Sequence, residues 1–197
     1  MIRVHSLLAS LLFLAAVGAP CFGDAIDPKA RPDATSARWR PDRVLLAQAK
    51  LPSLKEINLL AADQGGQALV VPNDEWFKPI SGKEGEGASV GVGQEAVYAF
   101  KDEKPAKFSK FSTLITAASD SNAKQIELLV ANDSPTGTFR SVGILNVYNA
   151  KLVKSPYQEL SFDETAAKYV KIKLLAAYGC CGGIWLGQVR LLGTLAE

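Results

Sequence analysis

The chain has 197 residues with 48% hydrophobic and 21% charged side chains, which is the length and composition of one globular domain with a full core rather than of a disordered protein. Its one histidine, His5, and one of its three cysteines, Cys21, lie in a segment that we expect to be removed. The remaining protein then cannot use Ser-His-Asp or Cys-His catalysis, histidine metal ligands or a four-thiolate zinc site. Residues 29–55 carry seven basic and two acidic side chains, whereas residues 56–197 carry fourteen basic and sixteen acidic ones. The positive charge therefore belongs to the N-terminal part and not to the predicted domain, so nucleic-acid binding is not expected.

Residues 1–23 have the pattern of a secretory signal peptide. A short basic start is followed by an almost unbroken apolar run at residues 6–17, and small residues follow at Gly23 and Ala25. The apolar run is about twelve residues long, which is short for a bilayer span, so we expect no integral membrane protein. Cleavage near Gly23 to Ala25 predicts a secreted or periplasmic protein; a lipid anchor on Cys21 and a retained anchor are the alternatives.

Residues 24–54 are interpreted as a linker. The segment contains Pro28, Pro32 and Pro41 among scattered basic residues, a composition that favours an extended chain. The folded domain is predicted at residues 55–197.

Within this domain the sequence alternates between short β-prone runs and turn residues. The predicted strands lie at residues 68–71, 96–100, 107–116, 125–131, 139–148, 157–162, 168–175 and 189–193, and the glycine-rich stretch at 82–93 is predicted to be loop. No amphipathic helix is evident between the strands. This arrangement predicts an all-β domain, an antiparallel β-sandwich or barrel.

The order of these segments resembles the discoidin, or coagulation factor 5/8 type C, module, a galactose-binding-like jelly roll. The segment Ala167-Lys168-Tyr169-Val170-Lys171-Ile172 is similar to a signature of that family, and residues 186–193 are similar to its closing strand. Residues 58–66, 96–114, 125–133 and 139–143 resemble its other segments in the same order. The resemblance covers roughly residues 55–197.

The resemblance implies a binding module of β-sandwich architecture that holds carbohydrate, or in some members phospholipid or protein, through loops at one end. It also implies a structural calcium site with a glutamate at the position of Gln188 and an aspartate-glycine loop. Gln188 is neutral and residues 73–76 match that loop poorly, so we expect no cofactor and no metal ligand.

Candidate carbohydrate-binding residues lie in and near the predicted loops. An aromatic ring offers a flat apolar surface for the C–H face of a sugar, and nearby polar groups bind its hydroxyls. The candidates are Tyr178, Trp185, Trp76, Tyr148 and Asn149. Core packing is the alternative for the two tryptophans and for Tyr178.

The adjacent cysteines Cys180 and Cys181 lie between Tyr178 and Trp185. In an oxidising compartment they can form a vicinal disulfide, and two free thiols or bridges to other chains are the alternatives.

No pair of carboxylates stands out by its spacing, so we expect no enzyme. The sequence therefore predicts a non-catalytic secreted or periplasmic module that binds a glycan or envelope polymer. The alternative is a structural or adhesion protein whose loop end binds another protein or an anionic surface.

Overall fold

The computed structural model describes residues 55–179 and 183–196, which fold as an antiparallel β-sandwich. The predicted fold class is confirmed. The predicted signal peptide at residues 1–23, the linker at residues 24–54 and the cysteines Cys180 and Cys181 lie outside the described residues, so the domain boundaries and the state of the thiols stay predictions.

The strands of the described residues are numbered in chain order. They are β1 (Ile57–Asn58), β2 (Gln67–Val70), β3 (Ala88–Val90), β4 (Glu95–Ala99), β5 (Ala106–Leu114), β6 (Ala123–Ala131), β7 (Arg140–Asn146), β8 (Tyr157–Ala167), β9 (Tyr169–Ala177), β10 (Ile184–Leu186) and β11 (Val189–Leu195). Short 3-10 helices occupy Ala62–Gln64, Asp74–Ile80 and Lys101–Glu103. None of the helices in this part of the chain is long and apolar enough to cross a membrane.

Two sheets form the sandwich. One has four strands in the order β1-β11-β5-β8, and the other has five strands in the order β2-β4-β9-β6-β7. Strands β3 and β10 pair with each other as a small two-stranded sheet, and the strands in all three sheets are paired antiparallel. Strands β7 and β9 both pair antiparallel with β6, so the loops after them emerge at the end of the sheet where β6 begins, next to the β5–β6 loop.

Strand β9 shows why the sequence pattern gives this fold. Val170, Ile172 and Leu174 are fully buried, while Lys171 and Lys173 on the opposite face are half-buried. Side chains of a strand alternate between its two faces, so a period of two in hydrophobicity places one whole face in the core. Strand β6, in the middle of the same sheet, follows the same rule.

Strand β5 breaks this alternation once. Phe108 is buried, but the next core residue is Phe111, three positions later, because the pairing register shifts between Phe108 and Lys110. A β-bulge inserts one extra residue and so returns the following side chains to the correct face.

The core between the sheets contains large aromatic side chains. The rings of Phe100 and Phe108 meet edge to face at 5.6 Å between centroids. Tyr98 is fully buried and its hydroxyl donates to the backbone oxygen of Trp76 at 2.9 Å, which ties the 3-10 helix at Asp74–Ile80 to β4. Burial raises the pKa of the Tyr98 hydroxyl.

The glycine-rich stretch contains a strand that the sequence does not predict. Strand β3 has only three residues, and it is extended because Ala88 and Val90 pair with Leu186 and Ile184 of β10. The prediction of continuous loop at 82–93 is therefore wrong at β3, where a distant partner in the sequence decides the local structure.

Candidate functional site

Three loops at one end of the sandwich bring most of the predicted aromatic residues together. We call the surface formed by residues 115–122, 147–156, 178–179 and 183–187 the aromatic end. Tyr148, Tyr178 and Trp185 each come from a different part of it, and Asn149 lies beside Tyr148.

The side chain of Asn122 connects these loops. It is only 4% exposed, and its Nδ2 donates to the backbone oxygen of Ala117 at 2.9 Å and to Oδ1 of Asn149 at 2.8 Å. Its backbone oxygen accepts from the N–H of Tyr178 at 3.2 Å. A buried amide with its donors satisfied is a rigid link, because breaking its hydrogen bonds would leave the buried amide itself without partners.

Backbone hydrogen bonds add to this link. The N–H of Trp185 donates to the oxygen of Ser121 at 2.6 Å, and the N–H of Gly179 donates to the oxygen of Asp120 at 2.7 Å. The β5–β6 loop thus supports both ends of the segment that contains Cys180 and Cys181.

Tyr148 is the most exposed aromatic residue of the aromatic end. Its side chain is 70% exposed, yet its backbone is fixed by Gln158, which is 4% exposed. Oε1 of Gln158 accepts from the N–H of Tyr148 at 2.7 Å, and Nε2 donates to the oxygens of Tyr148 at 2.8 Å and Ala150 at 3.0 Å. The loop therefore presents an exposed ring on a fixed backbone.

Tyr178 is half-buried, and its hydroxyl donates to the backbone oxygen of Val147. The ammonium of the exposed Lys124 lies 5.7 Å from the centroid of its ring. An exposed lysine thus lies beside a half-buried ring, whereas the hydroxyl is used within the protein.

Trp185 lies in β10 between the buried residues Ile184 and Leu186, and 37% of its surface is exposed. Its ring packs on the backbone of Gly87, where a Cβ atom would lie 2.7 Å from Cζ2 of the indole. A cavity of about 190 Å³ beside the ring is lined by Gly85, Glu86, Leu114, Thr116, Asn122, Trp185 and Gly187. Only a small group fits this space.

Asn149 contributes less than its position in the sequence indicates. Its Oδ1 accepts from the N–H of Ser119 at 2.8 Å as well as from Asn122, so the oxygen already serves to fix the loops. Contact with a ligand would have to come from its Nδ2.

Trp76 does not belong to the aromatic end. It is fully buried in the core, so its ring presents no surface to a ligand, and the prediction of a binding contact there is corrected. The 3-10 helix explains the difference, because it directs Trp76 inward while its neighbour Phe77 remains 45% exposed.

The charged groups near Trp185 have lowered pKa values. The hydrogen bond from Ser81 lowers the pKa of Glu86, and hydrogen bonds from the Lys78 side chain and then the Ser89 N–H lower the pKa of Glu75. A general acid needs the opposite shift, so neither carboxyl is prepared to donate a proton at neutral pH.

The residues around Gln188 do not fit a calcium ion. The side-chain amide directs N–H groups, not an oxygen, toward the backbone oxygens of Lys78 and Glu86. Within residues 55–179 and 183–196, no group of three or more His, Cys, Asp or Glu side chains could hold a metal ion.

Sequence reasoning identified the exposed rings but missed the amides that position them. Asn122 lies in a turn-like run and Gln158 in a strand, and neither position carries a local signal of its function. Gly87 is visible in the sequence, but the need for glycine there comes from the packing of Trp185.

No family model matches the sequence, and no curated protein matches it. Several solved structures are similar in fold. CpGH89CBM32-5 from Clostridium perfringens, in complex with GalNAc-β-1,3-galactose, is 19% identical with a TM-score of 0.53, and the match covers 68% of this chain and 99% of that chain. The family 32 CBM from C. perfringens NanJ, in complex with galactose, is 14% identical with a TM-score of 0.53, over 70% of this chain and 98% of that chain. The C-terminal domain of a chitobiase from Bacteroides fragilis is 12% identical with a TM-score of 0.54, over 73% of this chain and 100% of that chain. The chain therefore has the β-sandwich fold of family 32 carbohydrate-binding modules, which is galactose-binding-like.

Proposed function

We propose that the protein is a non-catalytic module that binds carbohydrate through its aromatic end. The observation that carries this proposal is the convergence of Tyr148, Tyr178 and Trp185 on one end of the sandwich, over a network of buried amides. Two proteins of similar fold are known in complex with galactose or a galactose-containing disaccharide, which supports the same ligand class here.

The surface that these rings offer is suited to a sugar. A sugar ring has apolar C–H faces and equatorial hydroxyls, so it binds to an aromatic plate with hydrogen-bonding groups at its edge. Tyr148 is 70% exposed and Trp185 is 37% exposed, while Thr116 lines the cavity beside Trp185. The cavity of about 190 Å³ is smaller than the roughly 300–1,000 Å³ of a typical ligand pocket. The module would therefore hold one sugar unit of a longer glycan.

Catalysis is not part of the proposal. A glycosidase needs two carboxyl groups on opposite sides of the bond, one of them with a raised pKa. Glu86, the carboxyl that lines the cavity beside Trp185, has a lowered pKa instead. The protein would bind a glycan or envelope polymer at the cell envelope or outside the cell.

A glycan array with the native protein and four variants tests this function. We expect Tyr148→Ala and Trp185→Ala each to weaken binding about fivefold, because each removes a stacking surface worth roughly 1 kcal/mol. Phe139→Ala is the matched control, since this half-buried aromatic residue lies at the opposite end of the sandwich. Tyr178→Phe should retain binding, because its hydroxyl is directed to Val147.

Absence of any glycan signal at high protein concentration, with capture of a protein partner instead, would overturn the carbohydrate proposal. Equal losses of glycan binding in Tyr148→Ala and Phe139→Ala would mean that the binding surface lies elsewhere.

A second candidate function is attachment to an anionic surface. In the β7–β8 loop, Leu152 is 40% exposed and Val153 fully so, and both lie between Lys151 and Lys154. Exposed apolar side chains flanked by lysines are suited to the boundary of a negatively charged surface. Sedimentation with vesicles containing phosphatidylserine, in parallel with the glycan array, separates the two candidates.

A further inference from the structure

The side chain of Gln188 is the most densely bonded buried amide of the described residues. It is 3% exposed and lies immediately before β11. Its Oε1 accepts from the N–H of Gly82 at 2.8 Å, and its Nε2 lies 2.6 Å from the oxygen of Lys78, 2.9 Å from the oxygen of Glu86 and 3.3 Å from Oγ of Ser81.

The identity of these partners fixes the orientation of the amide. A backbone N–H can only donate, so it requires the oxygen of Gln188, and the backbone oxygens of Lys78 and Glu86 require its NH₂ group. Residues 78–86 therefore wrap around a neutral group that both donates and accepts.

Three oxygens, from Lys78, Ser81 and Glu86, surround the Nε2 atom, and oxygen is also the ligand atom of a hard cation. Calcium is bound by carboxylate, carbonyl and hydroxyl oxygens at roughly 2.3–2.6 Å. Here the Nε2 atom of Gln188, with its two hydrogens, lies among these three oxygens. The oxygen of the Gln188 side chain does not face them. The carboxylate of Glu86 is close by, but it bonds with Ser81 and pairs with Lys83 at 3.4 Å.

The wrapped segment leads directly to the aromatic end. Gly85 and Glu86 line the cavity beside Trp185, and Gly87 forms the surface on which the indole packs. Gln188 is therefore a positioning residue for this side of the site, acting through the backbone of residues 82–87.

We propose that the amide of Gln188 takes the place of a structural cation, so that this loop is held without metal, and that a single change to glutamate converts it into a calcium site. A carboxylate at position 188 cannot donate to the oxygens of Lys78 and Glu86, and its negative charge faces them directly. A divalent cation between the carboxylate and these oxygens removes the repulsion and restores the link.

Thermal unfolding and calorimetric titration with Ca²⁺ test this inference, and neither depends on carbohydrate binding. For the native protein we expect the same Tm in EDTA and in millimolar CaCl₂, and no heat of Ca²⁺ binding. Gln188→Glu should lower the Tm by about 5 °C in EDTA, and CaCl₂ should reverse this loss.

Two variants complete the design. Gln188→Met retains the length of the side chain without donors or charge, so it should lower the Tm and show no response to calcium. Gln67→Glu makes the same charge change at an exposed position on β2 and should leave both measurements unchanged.

The proposal would be overturned if the Tm of the native protein falls in EDTA. It would also be overturned if neither the Tm of Gln188→Glu nor its heat of binding responds to calcium. If Gln188→Glu does not fold in EDTA, recovery of its β-sheet circular dichroism with CaCl₂ supports the proposal and failure to recover contradicts it.

Discussion

At the scale of single residues, buried amides determine the geometry of the aromatic end. Asn122 and Gln158 are each 4% exposed, and between them they bond to the backbone or side chains of Ala117, Tyr148, Asn149 and Ala150. An amide suits this task because it donates and accepts at one point without a charge that burial would penalise. The exposed rings can therefore vary in chemistry while the loops beneath them stay in place.

Truncation of the Asn122 side chain tests whether this buried amide determines the geometry of the aromatic end. Asn122→Ala removes both hydrogen bonds of the buried Nδ2, each worth about 0.5–1.5 kcal/mol, so the free energy of unfolding should fall by about 1–3 kcal/mol. Urea denaturation measures that loss. The glycan affinity should fall with it, because the side chain of Asn149 loses one of its two hydrogen bonds.

Asn146→Ala is the control for this prediction, since Asn146 makes one hydrogen bond with Gln125 at 2.9 Å on the exposed surface of β7. It should change stability by less than about 0.5 kcal/mol. A similar loss in both variants would mean that Asn122 has no special function in the end loops.

At the scale of elements, the small sheet of β3 and β10 carries Trp185. Ile184 and Leu186 of β10 are fully buried, which directs Trp185 between them toward the surface. Gly87, immediately before β3, leaves room for the indole, because a Cβ at this position would lie 2.7 Å from the ring and 2.6 Å from the oxygen of Leu186. The exposed ring is thus positioned by a glycine that precedes the partner strand.

Gly87→Ala should therefore displace the indole and separate the ends of β3 and β10. We expect a clear loss of stability in thermal unfolding and a change in the intrinsic fluorescence of the tryptophans. Gly91→Ala is the matched control, because a Cβ at Gly91 would meet its nearest neighbour in Gln94 at 3.6 Å, an ordinary contact. Unchanged fluorescence in Gly87→Ala would show that the loop can move away from the ring.

Elements with a regular hydrophobic pattern were predictable from the sequence, and those formed by partners distant in the chain were not. Strands β6 and β9 lie at the predicted positions because their alternation alone decides which face is buried. Strand β3 lies among glycines and exists because β10 pairs with it, about a hundred positions later. The same limit applies to Trp76, whose turn-like surroundings gave no sign of the 3-10 helix that buries it.

At the scale of the whole molecule, charge is distributed unequally between the two ends of the sandwich. The tyrosine side of the aromatic end has three lysines, Lys124, Lys151 and Lys154, and one acid, Asp120. All three lysines are exposed. In the loops at the opposite end, by contrast, acidic and basic residues balance: Asp102, Glu103 and Asp133 against Lys101, Lys104 and Lys168. A positive field around Tyr148 and Tyr178 favours ligands with negative charge, whether an acidic glycan or an anionic envelope surface.

This asymmetry predicts which charges matter for an acidic ligand. We expect Lys151→Glu/Lys154→Glu to bind polygalacturonate, used as an acidic probe, at least about tenfold more weakly at low salt, because each basic residue near an anionic surface contributes roughly 1 kcal/mol. The difference should shrink above about 0.1 M salt, where the screening length is roughly 10 Å. Lys101→Glu/Lys104→Glu makes the same change of charge in the β4–β5 loop at the opposite end, so it separates a local effect from one of net charge. If both double variants lose affinity equally, the ligand responds to total charge and the aromatic end does not select it.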